Sequence, residues 1–343
     1  MISNLKGKRV ALVGGAGFIG HNIAIALKDA GAEPHIIDSL QVNNLGAFST
    51  GNDPAKLLYM HLIYERLNAL HDASIPLHVV DARDYGLLSR SLADIKPDCI
   101  VQLAAIAHAN RANKDPFSTF DHSFRTLENA LDYARGEGTH FIFFSSSMVY
   151  GNFEGEAAKE DRHCEPMGIY GSLKYGGEKL VIAYNQVFNM PYTIVRPSAL
   201  YGERCVSRRV GQAFIENALR GRDLSVNGDG SDALDFTYIG DLMQGIMLCI
   251  TKPEARNEIF NLTYGHAHSL NQMVEIMKEN FPGIKVSYQP RDSLMPERGT
   301  LSVDKARRLL GYSPQFPLDK GFVRYIDWYK SLAARHPDSF KGP

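Results

Sequence analysis

The sequence predicts an α/β protein with a doubly wound parallel sheet and a smaller C-terminal α+β lobe. Short apolar runs alternate with helical patterns through the first half of the chain, and this pattern loosens after about Arg196. Apolar runs of about five residues without strict alternation are typical of strands buried on both faces of a parallel sheet. The alternation of strands with helices implies right-handed crossovers that place helices on both faces of the sheet.

Six apolar runs are predicted as strands of this sheet: Arg9–Val13, His35–Asp38, Leu77–Val80, Cys99–Leu103, His140–Ser145 and Tyr192–Arg196. The chain has 343 residues, which is more than one compact core usually holds. We therefore expect a large sheet domain over 1–200, to which the chain returns at about 235–265. The smaller lobe is expected to consist of 201–234 and 266–343.

Composition excludes several classes of partner. The formal net charge is −1, so there is no electrostatic argument for nucleic acid or for an anionic membrane surface. The four cysteines are scattered without a Cys-x-x-Cys pair, so neither a metal site nor a disulfide framework is indicated. No apolar stretch has the pattern of a signal peptide or a membrane span. We expect a cytoplasmic protein that binds no nucleic acid, no membrane and no metal.

One segment is longer than this fold requires. Between Leu40 and Leu77 lies a Gly/Asn/Ser-rich stretch, followed by an amphipathic helix predicted over Pro54–Leu70. Leucines recur along it at helical spacing. Two interpretations remain open: a helix packed on the outside of the sheet, or a lid or dimer contact.

A glycine-rich turn follows the first strand and opens the first predicted helix. Gly14, Gly17 and Gly20 lie in GGAGFIG, together with Phe18 and Ile19. In such a turn the first glycine permits the tight bend, the second lets the backbone approach a pyrophosphate, and the third allows close packing of helix on strand. The helix N-terminus adds N–H groups and positive potential. This context predicts a Rossmann-type dinucleotide site.

An acid at the end of the second strand indicates which dinucleotide binds. Asp38 lies 18 residues beyond Gly20, where a carboxylate accepts hydrogen bonds from the ribose and repels a 2′-phosphate. No arginine directly follows it, so NAD is favoured over NADP.

Two further segments are candidates for the cofactor site. Asp81, which Ala82 follows, could reach the adenine, or it could equally be a solvated acid at the end of a strand. The fourth strand ends in a run with small side chains, which could let the cofactor lie close to the sheet edge or could only pack within the protein. These residues are Leu103, Ala104 and Ala105.

Tyr170 and Lys174 form a Tyr-x-x-x-Lys pair, whose spacing of four places both side chains on one helix face. A free tyrosine has a pKa near 10, and a neighbouring ammonium stabilises the phenolate. Tyr170 would then take a proton from a sugar hydroxyl while hydride leaves the same carbon for NAD. Ser146, in the strand-end run FFSSSMVYG, would hydrogen-bond the reacting oxygen, or it simply caps the strand end.

These motifs, in this order, carry a resemblance: GGAGFIG, QLAA, SSSMVYG, YGSLK and RPSALYG. The chain resembles the extended short-chain dehydrogenase/reductases, and more narrowly the NAD-dependent epimerase/dehydratase family of nucleotide-sugar enzymes, from about residue 8 to 330. The resemblance implies that the glycines hold the pyrophosphate, Asp38 the ribose and Asp81 the adenine. It makes Tyr170 the acid/base, Ser146 the catalytic hydroxyl and Lys174 the ligand of the nicotinamide ribose. The large domain is then the NAD-binding domain, and the smaller lobe binds substrate.

Two residues beside the catalytic hydroxyl narrow the reaction. Dehydratases of this family carry Asp and Glu where this chain has Ser147 and Met148, and neither replacement is a general acid or base. Related decarboxylases carry Glu, and 3,5-epimerases of GDP-mannose carry Cys, where this chain has Met148. We therefore expect a 4-epimerase that passes through a 4-keto sugar and keeps NAD bound. The alternatives are a sugar-nucleotide dehydrogenase or ketoreductase, and a non-catalytic NAD-binding regulatory protein.

The substrate side also departs from the family. Ala199 stands where the family usually has Asn, and Leu234 where it has Arg, at positions that commonly contact the nucleotide diphosphate. Guanidinium groups bind phosphate bidentately, so four arginines are candidate replacements: Arg208, Arg209, Arg291 and Arg298. Ser147 and His108 are further candidates for lining the sugar pocket. The expected substrate is a UDP-, GDP- or CDP-linked sugar. The resemblance also implies a homodimer, formed through helices at about 117–135 and 170–188.

Overall fold

The computed structural model describes residues 5–41, 54–106, 109–291 and 296–341. A seven-stranded parallel sheet forms its centre, in the order β3-β2-β1-β4-β5-β6-β11. Its strands are β1 Arg9–Val13, β2 Glu33–Asp38, β3 Leu77–Val79, β4 Cys99–Gln102, β5 His140–Phe144, β6 Tyr192–Arg196 and β11 Glu258–Asn261. The predicted α/β class with a doubly wound parallel sheet is confirmed.

The strands are apolar because both faces of the sheet are covered. Every residue of β4, β5 and β6 is buried, as expected for a parallel sheet between two helix layers. Val13 at the end of β1 pairs with Ile37 on one side and with Gln102 on the other. The carboxyl ends of β1, β2 and β4 therefore meet at one edge, where the strand order reverses and ligands bind in such sheets.

Helices flank this sheet and continue into the C-terminal part. Their bounds are α1 Phe18–Asp29, α2 Pro54–Asp72, α3 Tyr85–Ile95, α4 Ala109–Lys114, α5 Pro116–Phe120, α6 Thr126–Glu137, α7 Gly168–Phe188, α8 Val210–Leu219, α9 Ile239–Thr251, α10 Leu270–Asn280, α11 Asp304–Leu310 and α12 Leu318–Arg335. A π-helical turn, Asp121–Arg125, joins α5 to α6, and a 3₁₀ turn, Ser147–Tyr150, follows β5. None of the helices in the described part of the chain is both long and apolar enough to cross a membrane.

The C-terminal part adds three two-stranded sheets. They pair β7 Leu200–Tyr201 with β10 Thr237–Tyr238, β8 Leu224–Asn227 with β13 Val286–Gln289, and β9 Ala233–Leu234 with β12 His268–Ser269. Strand β11 returns to the large sheet beside β6. One hydrophobic cluster runs without interruption from Val10 and Leu12 in β1 to Phe322 and Tyr325 in α12. The division into an NAD-binding domain and a substrate lobe therefore stays a prediction, because the core crosses it.

Helix α2 is the predicted helix of the long segment after β2. It contacts α1 and the 3₁₀ turn Pro337–Phe340, and its leucines Leu58, Leu62 and Leu70 join the main core. This packing favours the first interpretation, a helix attached to the outside of the fold. The helix also buries a charged residue, Arg66, which its amphipathic pattern did not predict.

Candidate active site

The glycine turn lies at the carboxyl end of β1. Gly14 has a left-handed φ of 81°, and a Cβ there would lie 2.5 Å from the backbone nitrogen of Ala104. A Cβ on Gly20 would lie 2.4 Å from the carbonyl oxygen of Gly15. Both positions therefore need glycine for the protein's own packing.

Gly17 differs from its two neighbours in the turn. A Cβ there would meet only the Gly14 carbonyl oxygen, at 3.4 Å, which is an ordinary contact. Gly17 is also the N-cap of α1 and supplies no side-chain cap to the first N–H groups of that helix. The helix entrance thus has uncapped donors and a space that a side chain would fill, as a cofactor pyrophosphate requires. Phe18 and Ile19 follow it half-buried against the core.

Asp38 supports the turn and faces the same edge. One carboxylate oxygen accepts from the Ala16 N–H at 2.9 Å, and the other accepts from the Leu40 N–H at 2.7 Å. Burial raises the pKa of Asp38, whereas these two hydrogen bonds and the charge of Arg66 lower it. Each oxygen keeps a second lone pair, so this arrangement leaves capacity for ribose hydroxyls.

Asp81 follows β3 and is held by an arginine that sequence reasoning did not single out. Arg83 donates to both carboxylate oxygens of Asp81, at 2.6–3.2 Å, and pairs with Asp121 at 3.0 Å. The hydrogen bonds from Arg83 lower the pKa of Asp81 to about 2. The signal was the spacing Asp-x-Arg at a strand end. The adenine contact of Asp81 remains a prediction.

The small residues after β4 lie against the glycine turn. The N–H groups of Leu103 and Ala104 both donate to the Val13 carbonyl at 2.8 Å. They and Ala105 are half-buried, and Ala104 is the residue that Gly14 approaches. Ala82 is buried, and its carbonyl accepts from the Asn129 side chain. The structure therefore gathers the predicted cofactor residues along one edge of the sheet.

Ser146 and Tyr170 meet at this edge. Ser146 ends the extended segment after β5 and caps the 3₁₀ turn by accepting from the Met148 N–H at 3.2 Å. The Ser146 hydroxyl lies near that of Tyr170, which is in the first turn of α7. Burial raises the pKa of Tyr170, while the Arg209 guanidinium and the neighbouring Ser146 hydroxyl lower it. The structure thus pairs two of the three predicted catalytic side chains.

Lys174 is one turn further along α7 and is buried. Its ammonium donates to the Phe144 carbonyl at 2.7 Å, at the end of β5. Burial lowers the pKa of Lys174 to about 8, and the neighbouring Glu178 raises it. In this structure Lys174 does not contribute to the pKa of Tyr170, because its ammonium is turned towards the strand. Its proposed role in tuning Tyr170 stays a prediction.

Glu178 is a further residue that sequence reasoning missed. It lies one turn after Lys174, is fully buried, and forms an ion pair with Arg196 of β6 at 2.6 Å. Its other oxygen accepts from the Ser145 hydroxyl and from Arg196 Nε. The signal available in the sequence was a carboxylate four residues after Lys174, on the same helix face and just before an apolar stretch. This pair ties the serine-bearing strand end to the helix that carries Tyr170.

Arg209 lies near Tyr170, and Arg298 lies near Arg209. Arg209 is the N-cap of α8 and is half-buried, and its charge acts on Tyr170. Arg298 is also half-buried, and its pKa is lowered to about 10 by burial and then by the charge of Arg209. Two neighbouring guanidinium groups, one of them near the reacting tyrosine, form a candidate anion-binding surface.

The other substrate candidates are placed differently. Arg208 is exposed, and its charge acts on Tyr59 of α2 instead of on Tyr170. Arg291 is paired with Asp232 through two contacts of 3.0–3.1 Å, near Arg298. Ser147 is buried and donates its N–H to the Pro197 carbonyl. His108 lies outside the described residues.

The two family departures have different structural settings. Ala199 has a φ of 37°, in the left-handed region that asparagine tolerates better than alanine. Leu234 is buried in the main hydrophobic cluster. A leucine in this position packs against the protein, so it cannot replace the phosphate contact of the family arginine.

Comparison with known proteins gives the same assignment. The NAD dependent epimerase/dehydratase family matches residues 10–263, which is more than half of the chain. The chain belongs to this family. The match covers the glycine turn, Asp38, Ser146, Tyr170 and Lys174. The expectation of an NAD-dependent enzyme of the extended short-chain dehydrogenase/reductase type is therefore confirmed.

Individual relatives span most of the chain. It is 31% identical over 253 residues to "Uncharacterized UDP-glucose epimerase YtcB" of Bacillus subtilis, which covers 72% of this chain and 79% of that protein. It is 25% identical over 352 residues to UDP-glucuronate 4-epimerase 4 of Arabidopsis thaliana, covering 96% and 77%. The UDP-glucuronic acid 4-epimerase of Bacillus cereus, solved with UDP-glucuronic acid and NAD, matches with a TM-score of 0.83 and 26% identity, covering 94% and 99%.

Proposed function

We propose that this enzyme is a nucleotide-sugar 4-epimerase. The observation that carries the proposal is that the side chains of Ser146 and Tyr170 come together at the carboxyl edge of the sheet. The residues that follow Ser146 are Ser147 and Met148, both buried, and neither is a general acid or base. Reversible oxidation at one carbon needs only Tyr170, Ser146, Lys174 and NAD as the acceptor of hydride, whereas elimination of water or CO₂ needs further acid or base groups.

Each residue then has a role in moving or holding a proton. Tyr170 takes the proton of the sugar hydroxyl and returns it to the keto oxygen on reduction. Ser146 would hold that oxygen by a hydrogen bond. Lys174 donates to the Phe144 carbonyl at the end of β5 and is the residue that would bind the nicotinamide ribose. Gly17 and the α1 entrance hold the pyrophosphate of NAD, and Asp38 holds its ribose. NAD, when bound, supplies the acceptor and donor of hydride.

The nucleotide diphosphate of the substrate is assigned to Arg209 and Arg298. Both are half-buried, and the charge of Arg209 reaches both Arg298 and Tyr170. Arg291 also lies near Arg298, but its charge is offset by its ion pair with Asp232. These arginines take the place of the family arginine that Leu234 replaces. UDP is the first nucleotide to test, because the relatives named above carry UDP-sugar names.

The competing function is a net dehydrogenase or ketoreductase, which uses the same residues but releases reduced cofactor. To separate the two, purified protein is incubated with UDP-glucose, UDP-glucuronic acid, and GDP- and CDP-sugars. We expect the 4-epimer to form without added NAD and without growth of the reduced-nicotinamide absorbance. Stoichiometric accumulation of NADH would contradict the epimerase.

Tyr170→Phe tests the catalytic assignment directly. It removes the hydroxyl that exchanges the proton, so we expect turnover to fall by about 10²–10⁴-fold. NAD binding should persist, because the glycine turn is untouched. Ser172→Ala is the matched control, since Ser172 is exposed on the same helix and bonds only the Gly168 carbonyl. Equal loss in both variants would point to damage to α7 and against the role of Tyr170.

A homodimer is part of this proposal. Apolar side chains are exposed along α5 and at both ends of α7: Phe117, Phe120, Ile169, Val187 and Phe188. Phe117 is the most exposed of the large apolar side chains in the described residues, at 85%. Pairing these helices with those of a second copy would bury this surface.

A further inference from the structure

Arg66 of α2 is a buried cation without a carboxylate partner among the described residues. Its side chain is 0% exposed. Its Nε and Nη2 both donate to the carbonyl oxygen of Arg204, at 2.8 and 2.5 Å, while Nη1 is buried without a partner in the described part of the chain. Burying a charge in this way costs several kcal/mol unless something else compensates. An apolar side chain would pack at this position without that free-energy cost, so packing alone does not explain an arginine here.

Arg204, whose carbonyl oxygen accepts from Arg66, lies in a strained loop. Arg204 has a φ of 63°, and Arg208, four residues later, has a φ of 46°. Left-handed backbone at non-glycine residues costs about 1–3 kcal/mol each and persists only where contacts hold it. The same loop ends at Arg209, whose charge acts on Tyr170. The two hydrogen bonds from Arg66 therefore hold one end of the segment that brings Arg209 to the active site.

Arg204 also reaches the cofactor turn from this loop. Its Nε donates to Nε2 of His21 at 3.0 Å, and Nδ1 of His21 lies 2.9 Å from the Gly17 carbonyl. Arginine cannot accept and a carbonyl cannot donate, so His21 is neutral with its proton on Nδ1. Burial lowers the pKa of His21 well below its usual value, and the charges of Arg66 and Arg204 lower it further. A fixed tautomer thus joins the loop to the turn.

We propose that Arg66 is a positioning residue that holds the substrate loop, 202–209, in register with the cofactor turn, 14–20. The chain of contacts runs from Arg66 to the Arg204 backbone, from the Arg204 side chain to His21, and from His21 to Gly17. Helix α2, the segment that the fold does not require, is the element that supplies Arg66. The substrate part of this inference rests on the proposed function.

The test uses three variants of the full-length protein. Arg66→Met keeps an unbranched side chain and removes both hydrogen bonds and the charge. Arg66→Lys keeps the charge and one donor. Tyr64→Phe is the matched control, because Tyr64 lies on the same helix and is exposed. Each variant is measured for NAD release, for KM and kcat with the sugar nucleotide, and for amide hydrogen exchange in 14–21 and 202–209.

For Arg66→Met we expect NAD release and KM to rise about tenfold or more, with kcat changed much less, because the lost contacts position the groups that bind cofactor and substrate and leave Ser146 in place. Exchange should accelerate in both segments together. Arg66→Lys should recover part of the loss, and Tyr64→Phe should match the wild type in these readouts. If Arg66→Met behaves like Tyr64→Phe, or if exchange changes in α2 alone, the positioning role is wrong.

The positioning role can be tested even if Arg66→Met does not fold or if no sugar nucleotide is turned over. If Arg66→Met does not fold, Arg204→Met removes the link to His21 and leaves the Arg66 contacts with the backbone in place. That variant is then expected to release NAD faster, and wild-type release would overturn the inference. NAD release and hydrogen exchange need no sugar substrate. They therefore report on Arg66 even if the enzyme fails to epimerise any sugar nucleotide offered.

Discussion

The packing of the protein itself does not require a glycine at Gly17. A Cβ fits there at an ordinary 3.4 Å contact, whereas at Gly14 it would lie 2.5 Å from backbone. We expect Gly17→Ala to fold with nearly unchanged thermal stability and to lose NAD affinity by about tenfold or more, because a methyl group would occupy the pyrophosphate space.

Gly14→Ala is the contrasting variant. The methyl group would collide with Ala104 and would also strain the left-handed backbone, so it should lower the stability of the fold itself. Thermal melts and NAD titrations of both variants make the comparison. Unchanged NAD affinity in a folded Gly17→Ala protein would remove the turn from the cofactor site.

Lys174 gives a prediction with a defined pH dependence. Burial lowers its pKa to about 8 from the model-peptide value of 10.5. Between these values the unfolded chain holds a proton that the folded protein has released, so the contribution of Lys174 to stability rises with pH across this window. Below pH 8 the buried ammonium opposes folding in full.

Lys174→Met should therefore abolish activity and yet raise the free energy of unfolding at pH 7 by about 1–2 kcal/mol, allowing for the Phe144 carbonyl left unpaired. The gain should shrink as the pH rises from 8 towards 10.5. Denaturant unfolding at several pH values measures it, with Lys179→Met as control, because Lys179 is exposed on the same helix. A gain that is constant with pH would mean that the ammonium is not its source.

At the scale of elements, α5 and α7 carry the prediction about assembly. Phe117→Glu places a charge in the exposed apolar surface and should convert a dimer into monomers, which light scattering after size exclusion would detect. Tyr64→Glu is the control, since Tyr64 is exposed to 46% on α2, outside that surface. A wild-type protein that is already monomeric at micromolar concentration would end the proposal of a dimer.

The elements themselves were largely predictable from sequence. The strands Arg9–Val13 and Tyr192–Arg196 lie where the apolar pattern placed them. The other predicted strands differ by no more than two residues at an end. Local periodicity is sufficient for buried parallel strands, because both their faces are apolar. It does not predict the π-helical turn Asp121–Arg125, whose register depends on packing between helices.

At the scale of the whole molecule, Glu216 joins its own helix, α8, to two segments that are distant in sequence. Its buried carboxylate accepts from Gln212 at 2.7 Å, from Tyr329 of α12 at 3.1 Å and from Tyr59 of α2 at 3.3 Å. Glu216→Ala leaves these donors unpaired, so we expect a loss of about 3–5 kcal/mol in unfolding free energy. Glu216→Gln should lose less, because its carbonyl oxygen still accepts.

The same variant tests whether the two predicted domains unfold together. The single tryptophan, Trp328, reports on α12, while far-ultraviolet circular dichroism reports on the whole chain. Since one hydrophobic cluster spans both parts, the two signals should shift together in Glu216→Ala. A fluorescence transition that moves alone would indicate a lobe that unfolds by itself.

The sequence by itself determined the sheet, the NAD turn, Asp38, and the Ser146, Tyr170 and Lys174 set, because each depends on short spacings along one strand end or one helix face. Only the tertiary structure decided which arginines meet Tyr170. Arg208 and Arg209 are neighbours in sequence, yet the left-handed backbone at Arg208 turns them to different surroundings.

Arg66 is the clearest case of what sequence could not reveal. In the sequence it is a charge on an amphipathic helix, and such charges usually face solvent. In the structure it is buried and reaches the backbone of Arg204, 138 residues away. A contact between segments so far apart leaves no periodic signal, because it depends on how α2 packs against the loop that carries Arg209.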